Sequence, residues 1–236
     1  MTIDVPYPDP DRLKYRRSFL VTRFVIGTIG LILPIALPIG AWLIFREPLI
    51  QDSLSGYYYS GMRDWFVGSM WAIGAGLICY AAARANQDTV VSNVAGILAI
   101  VVALFPTNPA GTRGSLTSAI HLWSAALFLI LLGVICWLYG KRDRRRPDRS
   151  VRQQKTWGRF HKICAVCIWL AVAAVALSKI SDVPGSRITL VGEIVAVVAF
   201  GLSWSVKGAE LFSVLLGRSG RYLVAAGSTK GQVAHA

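Results

Sequence analysis

Charge is what this chain has least of. Only 16% of its 236 residues are Asp, Glu, Lys or Arg, against roughly a quarter in soluble domains. Hydrophobic residues make up 54% and the mean hydropathy is +0.52. Those values lie outside the soluble range and place the chain in a membrane class. Acidic residues are scarcer still, 12 against 25 basic, for a net charge of +13. A nucleic-acid binder would gather such an excess on one folded soluble face. Here the basic residues fall between apolar runs, so nucleic acid is excluded as a partner and membrane lipids are left. The opening MTIDVPYPDPDRLKYRRSF is polar and broken by proline, without the pattern of a secretory leader. The first apolar run is therefore expected to remain as a membrane anchor.

Six apolar runs are present: Phe24–Phe45, Trp65–Ala83, Val90–Phe105, Leu116–Tyr139, Gly158–Ser178 and Ile188–Val206. Crossing a hydrocarbon core of roughly 30 Å takes about 20 residues, so the third is short and needs its flanks. The expected fold is all-α, a polytopic bundle of six transmembrane helices over 24–206. Residues 1–23 form an N-terminal segment, and 207–236 a tail that is partly interfacial and then without order. Positive charge marks cytoplasmic segments. One alternate set of segments carries Arg12, Lys14, Arg16, Arg17 and Arg23, then Arg84, then nine basic residues between Lys141 and Arg159, then Lys207, Arg218, Arg221 and Lys230. The opposite set holds Arg46, Arg63, Arg113, Lys179 and Arg187. Both termini are expected in the cytoplasm, in a multi-pass protein of the inner membrane.

Local signals refine this picture. Pro34 and Pro38 predict a kink in the first helix, with the carbonyls of Gly30 and Pro34 deprived of helical partners. Gly68, Ala72 and Gly76 recur every four residues, a spacing that lets another backbone approach. Asp88 reads as the N-cap of the third helix, and FPTNP after it as an outer turn. The connector KRDRRRPDRSVRQQK either sets topology alone or also binds anionic headgroups, at about 1 kcal/mol per basic residue.

Candidate chemistry concentrates on the outer side. His121 and Glu193 each lie five residues into their helices, about 8 Å down, so they can share one layer. Thr117, His121, Ser124 and Phe128 form one stripe, and Ser60, Arg63 and Asp64 bracket the start of the second helix. Ionisable residues inside a bilayer usually face the bundle interior and mark function. Three roles fit: an interior hydrogen-bond network, a site for a polar ligand or lipid headgroup, or a catalytic centre. Ser60, His121 and Asp64 are the residue types of a nucleophilic triad, although Ser60 also suits a helix cap and Asp64 the positive end of a helix dipole. A zinc ion would need His121 with Asp64, Glu193 or Asp52, an uncommon donor set. No metal or cofactor is assigned.

The four cysteines, Cys79, Cys136, Cys164 and Cys167, fall toward the cytoplasmic, reducing side, which excludes disulfides. Cys164-x-x-Cys167 with His161 one turn earlier has metal or redox spacing, but cysteine in an apolar helix is ordinarily a small packing residue. Ser203, Lys207 and Glu210 share a face that reads as an interfacial anchor.

SLSGYYYSGMRDWFVG, FPTNP followed by IHLWSAALF, and GEIVAVVAFGLSWSVKG resemble a family of uncharacterised six-helix bacterial membrane proteins, over most of residues 50–210. The chain is more remotely similar to the alkaline ceramidase and progestin-receptor type membrane hydrolases. That similarity implies a Ser and an Asp at the second helix, matched by Ser60 and Asp64, and zinc-binding histidines, matched by His121 alone. The final helix offers Glu193 where those hydrolases place a histidine pair, so the zinc site is expected to be lost. The expected function is a membrane protein whose outward polar layer is structural or binds a small polar or lipid headgroup. The alternatives are a lipid hydrolase at the outer headgroup layer and a small-molecule transporter. The sequence assigns neither substrate nor oligomeric state.

Overall fold

The computed structural model describes residues 10–82, 87–109, 112, 114–145, 147, 149–180 and 187–206. It is all-helical. The helices are α1 (Pro10–Leu43), α2 (Arg63–Ala82), α3 (Gln87–Leu104), α4 (Leu116–Asp143), α5 (Val151–Ile180) and α6 (Ile188–Val206), with a short 3-10 helix at Ser55–Tyr59 between α1 and α2. Four of them, α4, α5, α6 and the Val21–Leu43 part of α1, are long and apolar enough to cross a membrane.

Each helix packs on the next in sequence, and α6 returns to α1. Two of these seams require glycine. A Cβ on Gly74 of α2 would lie 2.7 Å from the Gly96 carbonyl oxygen of α3, and one on Gly96 would lie 2.6 Å from the Gly74 oxygen. Gly27 of α1 would meet the Ser205 amide nitrogen at 2.7 Å, and Gly201 the Gly27 oxygen at 3.0 Å. Removing side chains there brings backbones together, which is how helices associate where no hydrophobic effect drives them. The interior is filled by Leu37, Leu77, Leu132, Ile168, Phe200 and Trp204. The exterior is just as apolar: Ile35, Trp123, Leu170 and Leu177 are all at least 60% exposed. A helix bundle that is hydrophobic on both faces belongs in lipid.

Several expectations change here. α1 starts at Pro10, not at Phe24, because proline suits the first helical turn, where its missing N–H costs nothing. Pro34 and Pro38 both lie inside it. It ends at Leu43, and the chain turns away at Arg46, which adopts φ 59° while the Glu47 amide bonds back to the Ala41 carbonyl at 3.0 Å. That is a left-handed helix terminus built without glycine. Of the stripe Gly68, Ala72 and Gly76, only Gly76 meets a neighbour closely, with a Cβ there 2.4 Å from the Ile26 side chain. Gly68 and Ala72 are exposed and nothing lies within 4 Å of a Cβ on Gly68. α3 begins at Gln87, which puts Asp88 in its first turn instead of at the cap. Lys207, Glu210, residue 84 and the tail lie outside the described residues.

Candidate functional site

One end of the bundle carries a cap made from the α1–α2 connector. Its tyrosine-rich 3-10 helix is fastened in several directions. The Leu54 amide donates to Glu193 Oε2 of α6 at 2.6 Å, and Tyr59 Oη donates to the Thr107 carbonyl at 2.5 Å. Tyr57, fully buried, donates to the Leu49 carbonyl at 2.6 Å. Burial pushes its phenol above the ordinary 10.0, a backbone contact at Gln51 offsetting this in part. Glu47 accepts from the Gly61 amide at 3.0 Å. The α3–α4 connector is secured in the same manner. His121 Nδ1 bonds the Phe105 carbonyl at 2.7 Å, Ser115 caps α4 through the Ser118 amide at 3.1 Å, and Ser115 Oγ also reaches Asn108 Oδ1 at 2.7 Å.

His121 and Glu193 therefore work on different connectors, each bonded to backbone, and no hydrogen bond or ion pair joins them. His121, Ser124 and Phe128 do form a buried stripe on α4. Ser60 links the 3-10 helix to α2, donating to the Tyr57 carbonyl at 2.7 Å and accepting from the Met62 amide at 3.1 Å. Its hydroxyl is thereby committed to backbone, and Ser60, Asp64 and His121 make no triad contact. Arg63 is exposed, with its guanidinium 4.3 Å from the Tyr58 ring centroid and Nη2 2.6 Å from that phenol. Asp52 and Asp64 are exposed as well.

Asp64 stands at the mouth of a groove between α1 and α2. The mouth has a volume of about 350 Å³ and is lined by Ile29, Asp64, Trp65, Gly68, Ser69 and Ala72. Through Ile29, Trp65 and Ser69 it continues into an apolar stretch of about 280 Å³ that follows α1 from Phe24 to Leu37. The cause is local. Gly68, Ser69 and Ala72 are too small to fill the gap to α1, so the stripe expected to pull helices together instead leaves a channel on the outside of the bundle.

At the opposite, basic end lies a cluster that sequence reading missed. Asp143, His161 and Ser203 are all fully buried, from α4, α5 and α6. His161 Nδ1 is 2.8 Å from Ser203 Oγ, and its Nε2 is 3.4 Å from Asp143 Oδ2. Arg149 Nη1 donates to the same carboxylate oxygen at 3.3 Å. Around them Tyr139 and Trp204 stack at 5.6 Å, and Arg23 of α1 lies 4.8 Å and 5.2 Å from their ring centroids. The residue types match a nucleophile, base and acid relay, but the Ser203 hydroxyl is sealed from solvent. As arranged, the cluster is a polar latch joining four helices. His161 faces this latch; Cys164 is buried, Cys167 half-buried, and all four cysteines are free thiols. Among the described residues no three His, Cys, Asp or Glu side chains are placed to share a metal ion.

Comparison of the chain with protein-family models, with characterised proteins and with solved structures gives no match.

Proposed function

We propose that this is a six-span, multi-pass protein of the inner membrane, both termini cytoplasmic, that binds a lipid from the outer leaflet. The acyl chain lies in the α1–α2 groove and the headgroup meets Arg63 and Asp64. The observation that carries this reading is the groove, two adjoining surface hollows that share Ile29, Trp65 and Ser69, with the Asp64 carboxylate lining the outer one. It follows about 20 Å of α1, enough for the portion of a chain within one leaflet of a roughly 30 Å core. Its rim, Phe24, Ile32 and Trp65, is exposed and apolar, so in a bilayer the channel opens toward lipid. Trp65 suits the headgroup boundary. Asp64 offers an acceptor to an ammonium-bearing head, and Arg63 offers donors to its phosphate. His121 and Glu193 leave the ligand set in this reading and hold the cap instead.

Neither alternative draws comparable support. A hydrolase at the outer layer needs a nucleophile, and the Ser60 hydroxyl is engaged by backbone on both sides. A transporter would rest on Pro34 and Pro38 of α1 alone.

The test is to fill the channel. Because a side chain at Gly68 meets nothing, Gly68→Leu with Ala72→Phe should fold normally. Wild type, purified in polymer discs and washed, should retain a defined lipid on extraction that the double variant has lost. Equal lipid content in both would refute the proposal.

A further inference from the structure

We infer that the N-terminal part of α5 binds the phosphate of an anionic lipid headgroup, at a surface separate from the α1–α2 groove. α5 has 30 residues, about 45 Å of helix, which exceeds a hydrocarbon core by about ten residues. Its apolar C-terminal part fills that core, so Val151 to Phe160 stand in the headgroup layer. This segment is held rigidly helical. Ser150 Oγ accepts from the Gln153 amide and Gln153 Oε1 from the Ser150 amide, both at 3.3 Å, a reciprocal cap.

On it, Arg152, Lys155, Thr156 and Arg159 occupy about 100° of helix arc over about 10 Å of axis. With Val151 they line an exposed concavity of about 380 Å³. Three other cations at this end have partners: Arg149 has Asp143, Lys162 lies 4.6 Å from the Trp137 ring centroid, and Arg23 lies over Tyr139 and Trp204. Arg152, Lys155 and Arg159 make no ion pair with any described residue. They also gain nothing from the helix. The first turn holds no acidic residue, and Arg152 sits at the positive end of the helix dipole, where a cation is unfavourable. Three like charges gathered against both repulsion and dipole complement a phosphate that approaches from outside. The headgroup layer supplies one at every anionic lipid.

Native mass spectrometry of the full-length protein, released from discs of equal phosphatidylglycerol and phosphatidylcholine, tests this. Both leaflets of such discs are alike, so insertion topology does not enter. Wild type should carry phosphatidylglycerol in excess. Arg152→Gln with Lys155→Gln and Arg159→Gln should lose it, at about fivefold per residue, the equivalent of about 1 kcal/mol each. Arg46→Gln with Lys179→Gln and Arg187→Gln, exposed cations at the other end of the bundle, should retain it. No enrichment in wild type, or enrichment that survives the α5 substitutions, overturns the inference. Binding of inorganic phosphate that, at matched ionic strength, equals the binding of phosphatidylglycerol also overturns it, since the surface would then be a site for soluble phosphate.

Discussion

Removing the Asp143 carboxylate should be the most damaging single change at the basic end. Its side chain is fully buried, with Arg149 Nη1 at 3.3 Å and His161 Nε2 at 3.4 Å. At an effective dielectric of about 20, a unit pair at such a distance interacts by about 5 kcal/mol before desolvation is charged against it. Breaking a buried pair from one side typically costs about 3–5 kcal/mol, because the surviving charge loses its counterpart without regaining water. Asp143→Ala should therefore destabilise the fold by about 3 kcal/mol or more. Asp143→Asn, which keeps an acceptor for Arg149, should lose less. Arg149 is 12% exposed at its side chain and can recover some hydration, so Arg149→Ala should cost less than Asp143→Ala. The double variant should fall short of the sum by about 1 kcal/mol or more. Reversible unfolding in mixed micelles titrated with sodium dodecyl sulfate, followed by helical circular dichroism, measures the wild type and the four variants. A loss below about 1 kcal/mol for Asp143→Ala, or strict additivity in the cycle, would refute the latch.

Other consequences are open to measurement. Glu193→Ala removes the acceptor of the Leu54 amide and should cost about 1–3 kcal/mol, with faster amide exchange confined to residues 54–59; Glu193→Gln should restore most of the protection. Gly201→Val drives a side chain into the Gly27 carbonyl and Leu31, and should lower stability by about 1–3 kcal/mol, whereas Gly68→Val, which meets nothing, should leave it unchanged. Tyr57 gives a pH dependence of definite sign. Its folded pKa is raised, so above pH 10 the unfolded chain binds fewer protons than the folded one and stability falls as pH rises. Tyr57→Phe should flatten that fall while costing about 1 kcal/mol at neutral pH through the lost bond to Leu49.

The six helices were legible because a span needs about 20 apolar residues whatever surrounds it. Ends were less so: Pro10 opens α1 well ahead of the apolar run, through residues that read as polar connector. At the cap, depth placed His121 and Glu193 correctly inside helices, but their partners are the Phe105 carbonyl and the Leu54 amide, and backbone groups leave no trace in a side-chain pattern. The small-residue stripe on α2 was misread because spacing gives a helix face and not what the face meets. Asp143 was hidden by summing its connector as a positive block. The signal was present nonetheless, since Phe128, Leu132, Ile135, Tyr139 and Asp143 continue one buried face of α4. A carboxylate on the apolar face of a helix calls for a buried partner, and His161 and Ser203 were the candidates at that depth.

Photo-crosslinking reads lipid in the α1–α2 channel directly. A phospholipid with a photoactivatable group in its chain, incorporated into discs with the protein and illuminated, labels what the chain touches, and peptide mapping finds the positions. The labels should concentrate on Ile29, Leu33, Ala36 and Ser69. Labels spread evenly over other lipid-facing positions such as Ile97, Leu127, Leu170 and Val191 would contradict the account.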